Sequence, residues 1–224
     1  QKRKAEVEKV TTEKKLTELE MQALKAQINP HFVFNCLNSI KGFIFDKDFK
    51  QADKYLDKFS DLMRSTIDNS DAAIISLKDE MSYLDNYLLL EKLRFEDKFV
   101  YKIEVADGID KEKYFVPAML LQPYVENSIR HGMRFLENRQ GFIGIKAALE
   151  KGQLVCSIDD NGIGREKAAA LKSNMHIEYQ SRGMNISNRR AELYKIELEI
   201  IDKKDAHGNA AGTKIILKMP VDIK

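Results

Sequence analysis

The first part of the chain has the hydrophobic spacing of helices. Between residues 7 and 28 one set of mostly apolar positions recurs at alternating intervals of three and four, surrounded by charged residues. The next two members of the series are His31 and Asn35. This spacing predicts a helix with a seam that packs against a partner helix, most simply the same helix of a second subunit. Pro30 interrupts the pattern and removes a backbone donor, so we expect a kink or a new helix start just before His31.

Two more helices are predicted before residue 98. Apolar residues in the range 49–67 are spaced for an amphipathic helix that returns along the first one and forms a helical hairpin. Ser76 and Asp79 are spaced as a capping box. They predict a further helix that begins there and runs toward Phe95.

After Lys98 the spacing changes to that of strands mixed with helices. Residues 100–105 alternate as a strand, and residues 117–130 have helical spacing with Gly132 as the expected C-cap. Hairpins are predicted around residues 151–152 and residues 207–209. The expected fold class is therefore α+β, with a helical region over residues 1–98 and an α/β layer over residues 99–224.

The charges of the chain are not pooled into one basic segment. The 224 residues include 37 Lys and Arg against 35 Asp and Glu, a formal net charge of +2. Nucleic acid is therefore not an expected partner. The basic pair Arg189 and Arg190 is interpreted as part of a solvated helix face.

Cysteine content and hydropathy indicate the compartment. Cys36 and Cys156 lie in apolar contexts without the spacing of a metal or redox motif, which is typical of reduced, buried thiols in a cytosolic protein. No apolar run approaches the roughly 18 residues that a bilayer span needs. The chain opens at Gln1 directly in a charged helical pattern, so we interpret it as part of a longer protein.

A glycine-rich turn follows one of the predicted strands. Residues 160–164 read Asp-Asn-Gly-Ile-Gly, and the two glycines allow a tight turn and close approach of the backbone to a ligand. Such a turn alone is a weak signal. Upstream, Asn127 offers an amide oxygen, and Arg130 lies three residues later on roughly the same helix face. Because Mg²⁺ combines a few protein oxygens with phosphate oxygens and water, this pair suits a magnesium nucleotide.

Residues 117–219 resemble the ATP-binding domain of the GHKL superfamily, which histidine kinases share with gyrase-type ATPases. Residues 120–132, Leu-Leu-Gln-Pro-Tyr-Val-Glu-Asn-Ser-Ile-Arg-His-Gly, are similar to the version found in LytS-like sensor histidine kinases. The resemblance implies a GHKL α/β sandwich that binds ATP and Mg²⁺, with a flexible lid over residues 165–182. It also implies individual roles: magnesium binding for Asn127, phosphate contact for Arg130, acceptance from the adenine amino group for Asp160, the adenine-side turn for Gly162 and Gly164, the second glycine box for Gly183, and pocket closure for Gly212 and Thr213.

The sequence departs from the resemblance at two positions. Asn185 stands in the second glycine box where many relatives carry another glycine. The hydrolysing branches of the superfamily also place a carboxylate one helical turn before the magnesium asparagine, where it activates water. Pro123 occupies that position here, and Glu126 points about 100° away from Asn127 around an ideal helix. Transfer to a protein acceptor is therefore favoured over hydrolysis.

The acceptor candidate lies far upstream of this pocket. Residues 29–35, Asn-Pro-His-Phe-Val-Phe-Asn, resemble the phosphoacceptor region of the same LytS-like class, and this resemblance extends over residues 20–97. It implies that His31 is the phosphorylated residue. In the better-known class of histidine kinases a carboxylate follows the acceptor, and a Thr or Asn lies four residues on. Here Phe32 and Asn35 take those positions, so a general base must come from elsewhere or be dispensable. By analogy, Asn35 is a candidate to position water for removing phosphate from a partner.

An isolated histidine at this position has a simpler interpretation. His31 would then be a hydrogen-bonded helix histidine beside a proline kink. For a lone histidine that interpretation is preferred, and only the downstream pocket favours the acceptor role instead. With an ordinary pKa near 6.5, a histidine is mostly neutral at pH 7, so its nucleophilic form is abundant.

Together these features predict the cytoplasmic core of a dimeric bacterial sensor histidine kinase. We expect it to transfer the γ-phosphoryl group of Mg-ATP to His31 and then to an aspartate in the receiver domain of a response regulator. An upstream membrane sensor region would control this reaction. Two alternatives stay open, namely a GHKL-type ATP hydrolase and a catalytically degenerate scaffold for dimerisation or binding. Phosphate release without labelled protein would indicate the first, and failure to bind Mg-ATP the second.

Overall fold

Two helices form a hairpin at the start of the described chain. In this computed structural model the described residues are 30–96, 98–137, 139–174 and 182–223, so the predicted seam of residues 7–28 lies outside them. Helices α1 (Pro30–Phe45) and α2 (Phe49–Asp71) are joined by residues 46–48 and pack against each other, which confirms the predicted hairpin. Asp48 caps α2 by accepting a hydrogen bond from the backbone N–H of Gln51 at 3.0 Å.

A third long helix follows a short strand. Strand β1 (Ile74–Ser76) leads directly into helix α3 (Leu77–Arg94). The predicted cap is confirmed, since the Ser76 hydroxyl oxygen accepts from the backbone N–H of Asp79 at 3.1 Å. One side of α3 is fully buried, and its leucines join the core of the molecule: Leu77, Leu84, Leu88 and Leu90. In the described part of the chain no helix combines the length and the apolarity that crossing a bilayer requires.

A five-stranded mixed sheet forms the second part of the molecule. The sheet consists of β2 (Phe99–Val105), β4 (Gly141–Glu150), β5 (Gln153–Asp160), β6 (Glu197–Lys204) and β7 (Ala210–Pro220), in the spatial order β2-β4-β5-β7-β6. Strand β2 runs parallel to β4, and the other neighbours are antiparallel. Strand β3 (Phe115–Pro117) lies outside this sheet and pairs with β1.

The two predicted hairpins are confirmed. Lys151 and Gly152 join β4 to β5 with φ angles of 50° and 78°, the pair of positive values that a two-residue turn between twisted strands needs. The second hairpin joins β6 to β7 through residues 205–209, with Gly208 at a φ of 81°.

Helices cover one face of the sheet. Helix α4 (Gln122–Asn127) continues into a π-helical turn (Ser128–Met133), and α5 (Arg165–Asn174) and α6 (Arg182–Leu193) follow β5. The core between helices and sheet includes Tyr124, Ile129, Met133, Ile145, Cys156, Ile158 and Leu217. On the opposite face of β4, Lys146 Nζ lies 3.2 Å from Glu104 Oε2 of β2. The predicted α+β class, with an α/β sandwich after the helical part, is confirmed.

The predicted helix over residues 117–130 is wrong in its first part. Residues 115–117 form strand β3, Met119 has a φ of 56°, and the helix begins only at Gln122. The register of β3 against β1 places Pro117 opposite Ile74. A tertiary strand pairing therefore overrides the local helical spacing.

Two further local predictions are also wrong. Gly132 is not a C-cap with positive φ but lies inside the π-helical turn. Arg190 is not on a solvated face, because its guanidinium is half-buried and donates to the carbonyl oxygen of Ala118.

Cys36 and Cys156 are free and buried as predicted, and burial raises the pKa of these thiols to about 11 and about 12.

The division of the chain near residue 98 stays a prediction. Strand β1 and helix α3 precede it in sequence, yet β1 pairs with β3 and α3 contacts β2. The hydroxyl of Tyr101 donates to the Asp85 carboxylate of α3 at 3.0 Å. Helix α3 is therefore continuous with the packing of the α/β layer.

Candidate functional site

The carboxylate of Asp160 is the centre of a buried hydrogen-bond cluster. It lies at the end of β5 and is 4% exposed. Its Oδ1 accepts from the backbone N–H groups of Gly162 at 2.8 Å and Thr213 at 3.2 Å, and its Oδ2 accepts from the Ser128 hydroxyl at 2.9 Å. Burial raises the pKa of Asp160, although these hydrogen bonds favour the charged form. A carboxylate offers about four acceptor positions, so capacity for a further donor remains.

Glycines surround this carboxylate because the backbone segments approach too closely for side chains. A Cβ on Gly162 would lie 2.5 Å from Gly132 Cα, and a Cβ on Gly212 would lie 2.0 Å from the Asp160 carbonyl oxygen. Gly164 and Gly212 also have φ angles of 78° and 123°, which strain residues with a Cβ. The backbone segments on either side of Asp160 therefore pack directly against each other and against its carboxylate.

Three side chains hold the turn after β5, one from strand β6, one from the turn itself and one from the segment before β4. Lys203 Nζ donates to the Asp160 carbonyl oxygen at 2.9 Å and forms an ion pair with Asp159. Asn161 Oδ1 accepts from the backbone N–H of Phe142 at 2.6 Å. Arg139 Nη2 donates to the Gly162 carbonyl oxygen at 3.1 Å. The turn around Asp160 is therefore held in place by contacts within the protein.

The π-helical turn connects this pocket to a second site. Its signature is the hydrogen bond from the N–H of Arg134 to the carbonyl oxygen of Ile129 at 3.0 Å, which spans five residues. Ser128 and Gly132, four residues apart, contact the Asp160 side. Arg130 and Arg134, also four apart, line a cleft on the other side. One turn thus contributes to two sites at once.

The second site is a cleft of about 120 Å³ between α1, α3 and the π-helical turn. His31 lines it from the beginning of α1. Three arginines line it as well: Arg94 at the end of α3, Arg130 within the turn and Arg134 just after the turn. The predicted acceptor therefore lies against the same element that forms one wall of the Asp160 pocket.

The surroundings of the His31 ring favour its neutral form. Partial burial lowers the pKa of the imidazole, and the positive charges of Arg130, Arg94 and Arg134 lower it further. Asn35, one helical turn later, places its amide nitrogen 3.2 Å from His31 Nδ1. The neutral imidazole is the form that can act as a nucleophile.

Two carboxylates also line the cleft, one buried and one half-buried. Glu91, 4% exposed at its side chain, accepts from Arg94 Nε at 3.1 Å and also from Arg94 Nη2. Glu126 accepts from Gln122 Nε2 at 2.7 Å. Burial raises the pKa of both carboxylates, while Arg130 acts in the opposite direction on each. The cleft therefore combines three cations with two carboxylates that burial makes easier to protonate.

The residue after His31 anchors α1 beside this cleft. The rings of Phe32 and Tyr87 of α3 have centroids 5.1 Å apart and are tilted by 35°. Such an aromatic contact fixes the first turn of α1 on α3. The apolar residue at this position therefore serves the placement of His31.

A fully buried glutamate supports the loop that enters α4. Glu80 of α3 is 0% exposed, and its Oε1 accepts from the N–H of Leu121 at 3.0 Å. Its Oε2 has no hydrogen-bond partner among the described residues. Burial raises the pKa of Glu80 to about 7, partly offset by backbone hydrogen bonds and by Arg190. The start of the helix that leads to both sites thus depends on a titratable group.

Comparisons with known proteins identify the family of the chain. A family model described as histidine kinase matches residues 19–99. The sensor histidine kinase BtsS of Escherichia coli is 36% identical over 146 residues, which cover 65% of this chain and 25% of that protein. The sensor protein LytS of Staphylococcus saprophyticus is 31% identical over 215 residues, or 92% of this chain and 34% of that protein. The chain belongs to the histidine kinase family.

The match to known histidine kinases is partial in length. This chain spans only about a quarter of BtsS and a third of LytS. Among solved structures, the Acinetobacter baumannii histidine kinase AdeS aligns with a TM-score of 0.47 and 11% identity, over 86% of this chain and 96% of that one.

The predicted site residues of this histidine kinase fall into two groups. Asp160, Gly162, Gly164 and Thr213 meet in the pocket, and His31, Asn35 and Arg130 meet in the cleft. The half-buried Asn127 ends α4 directly before Ser128. Gly183 lies in the first turn of α6. Of the predicted lid, residues 165–174 form α5, and residues 175–181 lie outside the described part of the chain.

Sequence reasoning missed several residues of these sites. Ser128 follows Asn127 directly, so its position in the motif could have indicated a contact near Asp160. Arg94 and Glu91 stand in an ordinary amphipathic helix, and Arg134 follows the motif without any local signal. They reach the cleft only because α3 packs beside the π-helical turn.

Proposed function

We propose that this chain is the catalytic core of a sensor histidine kinase. It transfers the γ-phosphoryl group of ATP to His31, and an aspartate of a response regulator then takes the phosphoryl group. The observation that carries this proposal is the π-helical turn, which presents Ser128 to the Asp160 pocket and Arg130 to the His31 cleft. A nucleotide held at the pocket would extend its phosphates along this turn toward the acceptor.

The Asp160 pocket suits the adenine end of the nucleotide. The carboxylate has acceptor capacity beyond its three donors, and the exocyclic amino group of adenine is a donor. Gly162 and Gly164 let the turn after β5 pack closely against Gly132 and Ala210, which fixes the backbone beside the carboxylate. The N–H of Thr213 holds the carboxylate in place.

The phosphate end would lie between Asn127 and Arg130. Among the described residues no group of three His, Cys, Asp or Glu side chains could hold a metal ion. Magnesium would therefore take the Asn127 amide oxygen together with phosphate oxygens and water, a set that fits its preference for oxygen ligands. When bound, Mg²⁺ supplies neutralisation of the phosphate charge. The guanidinium of Arg130 supports the same charge from the protein side.

His31 acts as the nucleophile through Nε2, because Asn35 occupies Nδ1. In the reacting tautomer Nδ1 carries the proton and donates a hydrogen bond to the Asn35 amide oxygen. This requires the amide to turn by half a rotation from the orientation in which its nitrogen faces Nδ1. The Nε2–phosphorus bond forms as the bond from the γ-phosphorus to the bridging oxygen breaks. ADP leaves with the bonding electron pair, and the Nδ1 proton passes to solvent. Alignment is the main requirement of such a transfer.

Hydrolysis by the same site is less well supported. Pro123 stands in the first turn of α4, where its missing N–H costs no hydrogen bond. Glu126, the neighbouring carboxylate, is bound to Gln122 and lines the His31 cleft. Neither residue offers a base for water at Asn127.

A second copy of the chain is the proposed partner of the helical hairpin. Large apolar side chains are exposed along α1 and α2: Phe34, Leu37, Ile44, Phe45, Phe49, Leu56 and Ile67. Such a surface is unfavourable in water and is typical of a helix-bundle interface. A dimer would bury it.

The other proposed partners follow from the relatives. BtsS and LytS are called sensor proteins, and the chain covers only part of each. We therefore propose that this core belongs to the cytoplasmic side of a longer bacterial membrane sensor and that it serves a response regulator rather than nucleic acid.

Labelling with ATP that carries its label on the γ-phosphate tests the proposed function. The native chain should acquire acid-labile, base-stable label. His31→Gln and Asn127→Ala should both lose it, the first because the acceptor is absent and the second because the phosphates are misplaced. His207→Gln, which changes an exposed histidine in the β6–β7 hairpin, is the matched control and should keep the label.

Three outcomes would contradict the proposal. Label that persists in His31→Gln would place the acceptor elsewhere. Steady phosphate release without labelled protein would indicate a hydrolase. No binding of Mg-ATP by the native chain would indicate a scaffold.

A further inference from the structure

We propose that Arg94 and Arg134 complete, together with Arg130, a binding site for the phosphoryl group on His31 after its transfer. The ligand class is a phosphoryl dianion bonded to an imidazole nitrogen. The inference rests on the proposed function for the origin of that group, and it assigns roles to two arginines that belong to neither the acceptor segment nor the nucleotide pocket.

The three guanidinium groups reach His31 from different elements. Arg94 comes from the last turn of α3, and Arg130 and Arg134 come from the π-helical turn and the residue after it. All three line the cleft that contains His31. Its volume of about 120 Å³ exceeds the space that one water molecule needs, so a phosphoryl group can enter.

Arg94 is held in place before any anion arrives. Glu91, buried on α3, accepts from both Nε and Nη2 of Arg94. The Phe95 ring lies on one side, with its centroid 3.9 Å from the guanidinium carbon. Among the described residues Nη1 has no acceptor, so its two donors are available for an anion. A guanidinium fixed in this way loses little entropy on binding phosphate.

The interaction between His31 and the three arginines changes from repulsive to attractive during the reaction. Before transfer, three guanidinium groups oppose a positive charge on His31 and lower its pKa after the larger effect of burial. After transfer the same residue carries a phosphoryl group with close to two negative charges at neutral pH. Glu91 and Glu126 offset at most two of the three positive charges, so the cleft keeps a net positive charge. The positive field that disfavours a charged imidazole therefore also stabilises the phosphorylated product.

The lifetime of phosphohistidine on the full chain tests this site. After labelling with ATP and removal of the nucleotide, the loss of label is followed over time. Arg94→Gln and Arg134→Gln should each shorten the lifetime by about tenfold, the loss expected for a charge-assisted hydrogen bond. Arg94→Lys should lie between them and the native chain. Arg64→Gln, at a 73% exposed side chain on α2, is the matched control and should have no effect.

A chemical donor makes the test independent of kinase activity. Phosphoramidate phosphorylates accessible histidines, and site-resolved mass spectrometry can compare His31 with the exposed His207 in the same molecule. We expect phosphate on His31 to outlast phosphate on His207, and Arg94→Gln to remove the difference. If ATP never labels His31 but phosphate from the chemical donor still lasts longer on His31 than on His207, the proposed function fails and the phosphoryl site stands.

Two results would overturn the site. The first is equal lifetimes on His31 and His207 in the native chain. The second is an unchanged His31 lifetime in both glutamine variants, with slower label formation at saturating ATP, which would assign the arginines to the γ-phosphate of ATP instead. Arg134 is exposed, so its variant should keep the native melting temperature and report on binding alone.

Discussion

The Asp160 pocket and the His31 cleft lie on two sides of one helical turn but are built from different groups. The pocket consists of backbone N–H groups and glycines packed around one carboxylate. The cleft consists of charged side chains from α1, α3 and the π-helical turn. Backbone positions are set by the sheet and cannot move for a single residue, whereas side chains can adjust. We therefore expect abrupt effects of substitution in the pocket and graded effects in the cleft.

The largest effect is expected at Gly212 in the pocket. Gly212→Ala would place a Cβ 2.0 Å from the Asp160 carbonyl oxygen at a φ of 123°. The free energy of unfolding should fall by about 3 kcal/mol or more, because backbone must shift. Gly208→Ala is the matched control, since its φ is 81° and a Cβ there has open space. It should lower the free energy of unfolding by only about 1 kcal/mol. Urea unfolding measures both variants, and equal losses would mean that the close contact at Gly212 adds nothing to the backbone strain.

Asp160→Asn should separate ligand recognition from folding. The amide oxygen can keep the hydrogen bonds from Gly162 and Thr213, and Ser128 can turn its hydroxyl to accept from the amide nitrogen. The chain should fold but bind ATP about 100-fold more weakly. The amide N–H group would then face the amino group of adenine, where the carboxylate oxygen would accept a hydrogen bond. Calorimetric titration measures this. Asp107→Asn, at an exposed residue outside this turn, is the control and should bind ATP normally. A similar loss of binding there would show that the effect is not specific to Asp160.

Glu80 supports the element shared by pocket and cleft, and it should make stability depend on pH. Burial raises its pKa from 4.5 to about 7, so the folded state binds more protons than the unfolded state between those values. Stability from this group is therefore lost as pH rises through about 7. Glu80→Gln should remove a decline on the order of 2 kcal/mol between about pH 5 and pH 8.

Urea unfolding at both ends of that pH range measures the effect. Glu112→Gln, at an exposed carboxylate paired with Lys78, is the control and should follow the native pH dependence. A Glu80→Gln chain with the native pH dependence would mean that this carboxylate is already charged in the fold.

The smallest effect is expected in the cleft. Arg134→Gln removes one of the positive charges that lower the pKa of His31, so the pKa should move upward toward its ordinary value. Nuclear magnetic resonance titration of the ring detects the shift, with His207 as the internal reference. A downward shift would mean that Arg134 does not act on the ring through its charge.

Much of the fold could be predicted from local signals. The helix cap at Ser76 and the hairpins at residues 151–152 and 207–209 depend on neighbours in sequence, and the structure confirms them. The helix over residues 117–130 failed because pairing of β3 with β1 joins segments about forty residues apart. No local spacing encodes that pairing.

The candidate site shows the same division. Asp160 and its glycines could be identified because close backbone approach demands glycine within a short motif. Arg94 and Glu91 could not, because their functional neighbours lie on other elements. Arg190 was misjudged for that reason, since its acceptor at Ala118 is distant in sequence.

The sequence by itself determined the helical hairpin, the helix cap at Ser76 and the turns at residues 151–152 and 207–209. It also marked His31 and the glycine-lined turn after β5 as chemically unusual. Only the tertiary structure decided that one π-helical turn joins the two sites and that arginines from separate elements surround His31. The physical reason is range. Capping, turn geometry and steric limits on glycine act over a few residues, whereas the electrostatic field at His31 is the sum of charges that only packing brings together.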